Sequence, residues 1–278
     1  MEKHTGAAAG MLLCMGGKEG VRAVEREVIN SRANPLAVRV RRLNSRRGIR
    51  REENAFAAEG SKLLAEALRW GAGIETVIAA PGVSLPELPA SVRVVEVPDS
   101  LIASIADTQT PQGIVFICKG KSLAIPEQLS RGRWLVLDGV QDPGNVGTIW
   151  RTADAFGADG LVLCHGCADP WSPKTVRATM GAVFRLPVYE GTMEEVADKL
   201  AAASVPLYAT ALRKDTVDVR DVCLDKAAVI IGSEGRGVSE QALSLCQKTI
   251  KIPMRARCES LNAAVAASVV LWEMARGK

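Results

Sequence analysis

Three short segments of the sequence combine tight turns with polar side chains of the kinds that bind and orient ligands. The first runs from Asp138 to Arg151 with the sequence DGVQDPGNVGTIWR. Its Pro-Gly turn follows an apolar run, so Asn145 is predicted to cap a helix on which Arg151 lies between one and two turns further along. Both side chains would then project near the same edge, although an ordinary cap and a surface arginine would give the same pattern.

The second segment runs from Ile231 to Ser239 with the sequence IGSEGRGVS. Its glycines let the backbone approach a ligand closely or adopt positive φ angles around Glu234. A carboxylate in such a loop is poorly explained by packing, which favours a ligand-binding role. Because glycine-rich turns after strands are common, this segment indicates a site only in combination with the other two.

The third segment has the sequence IPM at residues 252–254 and ESLN at residues 259–262. Ser260 is predicted to cap the long apolar helix 263–275, and Asn262 in its first turn can direct its amide toward a bound group. The helix is apolar on most faces, which indicates burial between the sheet and a partner, such as a second subunit.

Apolar runs that alternate with amphipathic segments must position these loops. The second half of the chain predicts strands in five places: residues 134–140, 160–164, 207–210, 228–231 and 250–253. Continuous apolar runs are typical of buried parallel strands, and ligands collect at the carboxyl ends of such strands. The three segments follow Val140, Ile231 and Ile252, so we expect one site at one edge of a parallel α/β sheet.

The first half of the chain predicts a smaller α/β domain. Helices are expected at 21–32, 36–47 and 61–70, with Asn34-Pro35 as a break and Ser61 as a cap, and strands at 55–59, 74–79, 92–97 and 113–118. The polar stretch 119–133 contains Pro126 and is expected to be a linker. The predicted organisation is therefore a disordered tail at 1–20, an amino-terminal domain at 21–120 and a carboxy-terminal domain at 130–278.

Positive charge is concentrated near the amino terminus, although the formal net charge of the whole chain is only +4. Ten arginines lie between residues 22 and 51: Arg22, Arg26, Arg32, Arg39, Arg41, Arg42, Arg46, Arg47, Arg50 and Arg51. Such a cluster is typical of a surface that binds a polyanion, because each guanidinium can neutralise a phosphate. A solvated helix face is the alternative explanation.

The seven cysteines are scattered through a chain too large to need disulfides, which predicts reduced thiols in the cytoplasm. Cys164 and Cys167 have the spacing of half a zinc site, but no second pair follows, so no metal is expected. No apolar run after the tail is long enough to cross a membrane, and we expect a soluble protein. The chain also lacks a G-x-G-x-x-G motif at a strand-helix junction and a complete P-loop.

Taken together, the three segments resemble the three motifs of the SpoU/TrmH family of RNA ribose methyltransferases, part of the SPOUT superfamily. The motifs stand here as NVGTIWR from Asn145, IGSEGRG from Ile231, and IPM from Ile252 followed by SLN from Ser260. Further upstream, SRANP at 31–35, FAAEG at 56–60 and DTQTPQG at 107–113 are similar to the family's amino-terminal domain. Three motifs in the right order are far more specific than any one of them.

The resemblance implies an α/β fold whose carboxy-terminal domain contains a trefoil knot, with a smaller amino-terminal domain that resembles small ribosomal RNA-binding proteins. It further implies a homodimer and S-adenosylmethionine as cofactor, held by Gly232, Ile252 and Leu261. The implied catalytic and RNA-binding set is Asn145, Arg151, Glu234, Ser260 and Asn262. The clustered arginines would hold the RNA, and the candidates are Arg32, Arg41, Arg42, Arg46 and Arg47.

The activity that the resemblance implies is methylation of a ribose 2′-hydroxyl, with ribosomal RNA as the favoured substrate. It nominates Arg151, supplied by the partner subunit, as the group that receives the hydroxyl proton or stabilises the alkoxide. Because a guanidinium rarely loses its proton, we expect stabilisation and orientation. Two alternatives stay open: a non-catalytic RNA-binding or ribosome-assembly factor, and a methyltransferase that acts on transfer RNA or confers antibiotic resistance.

Overall fold

The chain folds into two β-sheets flanked by helices. The structure is a computed structural model that describes residues 27–130, 132–255, 257–258 and 260–276. The predicted tail 1–20 lies outside the described residues. So does the first part of the predicted helix 21–32. Among the described residues, no helix is long and apolar enough to cross a membrane.

The first sheet has five strands in the order β1-β4-β3-β5-β2, of which β5 runs antiparallel to both its neighbours. The strands are β1 (Glu27–Val28), β2 (Ala55–Glu59), β3 (Ile74–Ala79), β4 (Arg93–Glu96) and β5 (Ile114–Lys119). Its helices are α1 (Pro35–Ser45), α2 (Arg47–Glu53), α3 (Ser61–Arg69) and α4 (Asp99–Ile105). All four strands predicted for the first half are therefore confirmed.

The predicted helix 21–32 is wrong where the structure describes it. Glu27 and Val28 form an edge strand that pairs in parallel with β4, and the Ile29 amide continues the ladder by donating to the Glu96 carbonyl at 3.0 Å. The β-branched side chains of Val28 and Ile29 suit a strand better than a helix. Hydrogen bonding of Glu27 and Val28 to the edge of the sheet therefore outweighs the helix-like spacing of apolar residues from which helix 21–32 was predicted.

Helix α1 begins where the sequence predicts. The Asn34 side chain accepts a hydrogen bond from the Leu36 amide at 2.9 Å, and Pro35 occupies the first turn. The predicted helix 36–47 is interrupted at Arg46, whose extended backbone (φ −124°) ends α1 and starts α2. Helix α3 begins after Gly60 without a side-chain cap, so the prediction that Ser61 caps it is wrong.

The second sheet has seven parallel strands in the order β10-β12-β9-β11-β6-β7-β8. The strands are β6 (Trp134–Asp138), β7 (Gly160–Leu163), β8 (Val188–Glu190), β9 (Leu207–Thr210), β10 (Val217–Asp218), β11 (Ala228–Gly232) and β12 (Lys248–Lys251). The helices are α5 (Pro143–Ala155), α6 (Pro173–Ala178), α7 (Ala182–Arg185), α8 (Met193–Ala202), α9 (Glu240–Leu245) and α10 (Ala263–Arg276), with a 3-10 turn at Val219–Asp221. The predicted α/β class and the five predicted strands are confirmed, while the trefoil knot stays a prediction.

The two sheets share one hydrophobic cluster, so the halves of the chain are packed against each other. Phe56 of β2 stacks on Trp171, with ring centroids 4.9 Å apart and planes inclined by 6°. Beside this stack, Arg50 of α2 forms an ion pair with Asp169 at 2.6 Å, and both side chains are at most 7% exposed. A buried charge needs such a partner, and this pair therefore ties α2 to the second sheet.

Candidate active site

The three predicted segments lie at the carboxyl edge of the second sheet. Strand β11 pairs directly with β6, and the register sets Gly232 opposite Asp138 at their carboxyl ends. Strand β12 joins the sheet one strand away, beyond β9. Since all these strands are parallel, their following loops leave the sheet on the same side. The topology alone therefore brings the loops together.

The loop after β11 folds back onto the end of its own strand. The Ser233 amide donates to the Gly237 carbonyl at 3.0 Å, and the Gly237 amide donates to the Ser233 carbonyl at 2.9 Å. A Cβ atom added at Gly232 would lie 2.1 Å from the Gly237 carbonyl carbon and 2.2 Å from the Val238 nitrogen. Only glycine fits at position 232, because the returning backbone occupies the space of a side chain.

A chain of hydrogen bonds connects one polar side chain from each segment. The Asn145 amide nitrogen donates to Glu234 Oε1 at 2.6 Å, and the Asn262 amide nitrogen donates to Asn145 Oδ1 at 3.2 Å. An ionised carboxylate only accepts hydrogen bonds, which fixes the nitrogen of Asn145 toward Glu234 and its oxygen toward Asn262. The direction of both hydrogen bonds is therefore set: Asn262 donates to Asn145, and Asn145 donates to Glu234.

Asp142, and not Asn145, caps helix α5, so the sequence-based cap is wrong. The Asp142 side chain accepts from the Asn145 backbone amide at 2.9 Å and pairs with Lys174 at 2.7 Å. The Lys174 ammonium, together with this backbone amide, lowers the pKa of Asp142. Because Asp142 satisfies the helix terminus, the side chain of Asn145 in the first turn is free to reach Glu234.

Asn262, and not Ser260, caps helix α10, which corrects a second sequence-based cap. Asn262 Oδ1 accepts from the backbone amides of Ala264 at 2.9 Å and Val265 at 3.3 Å. Asn262 therefore lies directly before the helix and not in its first turn. An amide oxygen caps as well as a hydroxyl, and Asn262 is the polar residue nearest the helix start.

A cavity of about 450 Å³ lies between the loop after β11 and the loop after β12. It is lined by all three residues predicted to hold the cofactor and by two of the predicted catalytic residues: Gly232, Glu234, Ile252, Ser260 and Leu261. Leu261 is 38% exposed, so its apolar side chain is available to a ligand. Glu234 at the cavity wall is hydrogen-bonded to Asn145, and Asn145 is hydrogen-bonded in turn to Asn262.

Arg151 does not line the cavity. It is exposed on α5, and its side chain makes no hydrogen bond or ion pair with any residue that the structure describes. Six residues of helix place it about 9 Å along the axis from Asn145 and about 120° around it. Within one chain, the two side chains therefore leave the helix on different faces.

Arg22 and Arg26 lie outside the described residues, and the other eight clustered arginines differ in how far they are engaged. Arg39, Arg50 and Arg51 pair with acidic side chains and stabilise the fold. Of the predicted RNA-binding residues, Arg42 and Arg46 are exposed, with no side-chain partner among the described residues. The other three make single contacts: Arg32 with the Ser100 carbonyl, Arg41 with the Arg32 carbonyl and Arg47 with Glu190 at 3.4 Å.

The half zinc motif lies in the protein interior. Burial raises the pKa of Cys164 to about 12 and that of Cys167 to about 11, and the Cys167 thiol donates to the Leu137 carbonyl at 3.2 Å. In the described part of the chain, no three His, Cys, Asp or Glu side chains are grouped closely enough to hold a metal ion.

Two residues near the site were missed by the sequence analysis. Thr210 ends β9, lines the cavity and donates to the Ile230 carbonyl at 2.9 Å. Its position at the carboxyl end of a predicted strand could have identified it. Lys174, which holds Asp142, lies on the helix α6 (Pro173–Ala178), whose six residues are too few to show a helical period.

Comparisons with known proteins give matches over both halves of the chain. The family model of the SpoU rRNA methylase family matches residues 132–272, and the MRM3-like substrate binding domain matches residues 34–115. A Bacillus subtilis protein named 23S rRNA (guanosine(2553)-2′-O)-methyltransferase RlmP is 32% identical over 228 residues, which cover 81% of this chain and 90% of that protein.

Solved structures match over nearly the same extent. The AdoMet-bound rRNA methyltransferase from Sinorhizobium meliloti has a TM-score of 0.79 and 33% identity, covering 90% of this chain and 97% of that one. The SpoU methyltransferase AviRb from Streptomyces viridochromogenes, in complex with AdoMet, has a TM-score of 0.80 and 26% identity, covering 87% of this chain and 97% of that one. These matches confirm the resemblance seen in the three motifs, and the chain belongs to the SpoU rRNA methylase family.

Proposed function

We propose that this chain transfers a methyl group from S-adenosylmethionine to a ribose 2′-hydroxyl of ribosomal RNA. The observation that carries the proposal is the hydrogen-bonded chain of Glu234, Asn145 and Asn262 beside a ligand-sized cavity. The names of the relatives support the substrate class, since the Bacillus subtilis protein is named for a 2′-O position of 23S rRNA. Both structural neighbours described above contain bound AdoMet, which supports the cofactor.

The cavity suits S-adenosylmethionine in size and lining. Its volume of about 450 Å³ lies within the range of about 300–1,000 Å³ that is usual for small-molecule sites. Ile252 and Leu261 offer apolar surface for a purine ring, and the glycines beside Ser233 leave backbone groups accessible for hydrogen bonding. When bound, this cofactor supplies an electrophilic methyl group on a sulfonium.

The polar network prepares the site for the substrate. Glu234 fixes the amide of Asn145, and Asn145 in turn fixes the amide of Asn262. Groups held in this way need not reorganise when a ribose arrives, and positioning can supply much of the rate of a methyl transfer. Ser260 is exposed at the cavity wall, where its hydroxyl can hydrogen-bond the sugar.

A second copy of the chain would supply Arg151. Helix α10 packs beside α5, and on it Val265 is 49% exposed and Trp272 is 55% exposed. The rings of Phe156 and Trp272 meet in a T-shaped arrangement with their centroids 5.8 Å apart. Apolar side chains exposed next to the site suit a homodimer interface. The Arg151 guanidinium would stabilise by charge the ribose oxygen that attacks the methyl group, while S-adenosylhomocysteine leaves and the hydroxyl proton passes to solvent.

The RNA would lie over α1 and its junction with α2, where Arg42 and Arg46 have no side-chain partner among the described residues. Arg42 and Arg46 are free to contact phosphates, and Arg41 and Arg47 lie beside them. Affinity falls as salt rises, and each lost phosphate contact makes the slope of log affinity against log salt less steep by about 0.7–0.9. Replacing all four arginines by alanine is therefore expected to make this slope less steep by about 3, and an unchanged slope would remove α1 from the interface.

A reducing compartment suits the chain, and we assign it to the cytoplasm. Six cysteines of the described residues are free, and three of them are buried. Disulfides form and persist in oxidising compartments, whereas free thiols are usual in the cytosol. Ribosomal RNA would be available there as substrate.

Complementation between two inactive variants tests the activity and the shared site together. Arg151→Ala is expected to abolish tritium transfer from labelled S-adenosylmethionine to ribosomal RNA yet still bind the cofactor in calorimetry. Gly232→Ala is expected to lose cofactor binding. If Arg151 acts across the dimer, mixed dimers hold one intact site, and refolding the two variants together restores about a quarter of wild-type activity.

The control for this experiment is Lys226→Ala, because Lys226 is exposed and lies before the amino end of β11, at the opposite edge of the sheet from the motif loops. Alkaline hydrolysis of the product RNA locates the methyl group, since a 2′-O-methyl ribose resists cleavage. No restored activity in the mixture would refute the shared site. A wild-type chain that binds no S-adenosylmethionine, or that labels only bases, would refute the proposed function.

A further inference from the structure

A second groove lies between α3 and the turn that joins α6 to α7, and none of the three motifs contributes to it. Its volume is about 900 Å³. One wall runs along α3 from Lys62 near its amino end to Arg69 and Trp70 at its carboxyl end, and the other includes Met180 and Arg185. We call this feature the α3 groove.

An exposed indole flanked by two cations is the main feature of the α3 groove. Trp70 follows the last residue of α3 and is 49% exposed. The guanidinium groups of Arg69 and Arg185 each lie 5.9 Å from the centre of its ring. Cations attract the electron-rich face of tryptophan, so these contacts hold the ring in place while leaving much of it uncovered.

Most acidic groups of the α3 groove are already engaged. Glu59 accepts from the backbone amides of Asp107 and Thr108, and Glu66 pairs with Arg185. Lys62 and Arg69, by contrast, have no acidic partner among the residues that the structure describes. The groove therefore offers unbalanced positive charge beside an aromatic face.

Helix α6 connects the α3 groove to the candidate active site. Lys174 in its first turn pairs with Asp142, the cap of the helix that carries Asn145. Arg177, one turn further along α6, lines the groove. Residues three apart on a helix are neighbours on its surface, so α6 carries one contact to each place.

We propose that the α3 groove binds unpaired nucleotides of the RNA substrate, with one base stacked on Trp70 and the adjoining phosphates held by Lys62 and Arg69. An aromatic face with nearby cations is the arrangement that binds single strands, because every base has a flat π surface. A double helix keeps its bases stacked inside, so only unpaired nucleotides can reach the indole. This inference rests on the proposed function, since it assumes an RNA substrate.

Fluorescence anisotropy of the full chain tests the inference with a fluorescein-labelled decamer of adenosine. Trp70→Ala is expected to weaken binding between about 5-fold and 150-fold, the range that corresponds to loss of a stacked base. Trp70→Phe keeps an aromatic face and is expected to stay within about threefold of wild type. The affinity of Trp70→Ala for a ten-base-pair duplex, and the binding of S-adenosylmethionine, are expected to be unchanged.

Three results would overturn the inference. The first is equal affinity of wild type and Trp70→Ala for the single strand. The second is a change in sedimentation of Trp70→Ala without a change in RNA affinity, which would make the groove a contact between copies of the chain. The third is equal acrylamide quenching of wild type and Trp70→Phe, which would show that another part of the chain covers the indole.

The matched control is again Lys226→Ala, an exposed lysine outside the groove. The measurement needs neither the cofactor nor turnover. A wild-type chain that fails to methylate RNA but binds the decamer through Trp70 refutes the proposed function and leaves the groove intact. The reverse result, methylation without any effect of Trp70, refutes the groove alone.

Discussion

Replacing Gly232 by alanine should abolish cofactor binding by displacing the loop after β11. The new Cβ atom would lie 2.1 Å from the Gly237 carbonyl carbon and 2.4 Å from its oxygen, where real contacts of this kind stay above 3.0 Å. Both of these atoms belong to backbone, and no flexible side chain can move aside. The loop must shift by about 1 Å or more, and overpacking of this sort costs about 1–3 kcal/mol.

Titration calorimetry with S-adenosylmethionine measures the consequence. A displacement of this size in the cavity wall is expected to weaken binding by at least tenfold, or about 1.4 kcal/mol. Gly235→Ala in the same loop is the matched control, because an added Cβ atom there meets nothing within 4 Å. Affinity within twofold of wild type for Gly232→Ala would refute the reasoning, and so would equal losses for both variants.

Three other predictions concern stability and reactivity. Asp169→Ala leaves Arg50 buried without an acidic partner and should lower the free energy of unfolding in urea by about 3–5 kcal/mol, whereas the double change Arg50→Met, Asp169→Leu should restore most of it. Lys174 holds the pKa of Asp142 below its ordinary value of 3.8, so this carboxylate stabilises the fold above about pH 4 and the gain is lost as the pH falls. The stability difference between wild type and Asp142→Asn should hold from pH 8 to pH 5 and shrink below pH 4, and a difference independent of pH would contradict this. At pH 8, iodoacetamide should label the exposed thiols of Cys223 and Cys258 within minutes. The buried thiols should react only after unfolding, and mass spectrometry of peptides checks this for Cys118, Cys164 and Cys167.

The strands of the fold could largely be predicted because their apolar runs are long enough to be distinct. Every strand of four or more residues was predicted, while β1, β8 and β10 have only two or three residues each and carry no periodic signal. Strand β1 also shows how tertiary contact overrides local pattern, since Val28 pairs with the edge of a sheet that lies far along the sequence. The strand order and the shared core of the two sheets depend on contacts of this kind.

The composition of the site could be predicted from motifs, but its internal connections could not. Gly232, Ile252 and Leu261 line one cavity, as the resemblance implied. Which polar residue caps α5 and α10 was predicted wrongly, because aspartate, asparagine and serine are all good caps and stand within a few residues of one another. The prediction that Asn145 and Arg151 project near the same edge was wrong within one chain, because six residues of helix turn their side chains about 120° apart.

The residues that cap α5 and α10 in the structure also hold the site together. Asp142 satisfies the start of α5, which releases Asn145 to bind Glu234, and Asn262 satisfies the start of α10 while it donates to Asn145. Two helices are therefore fixed at their amino ends by the same short chain of side chains that lines up the candidate catalytic groups. Because Asn262 serves both purposes, its loss would disturb stability and positioning together, whereas Glu234 caps no helix and acts through Asn145 alone. The rigidity that a methyl transfer needs thus comes from the requirement that every helix terminus be satisfied.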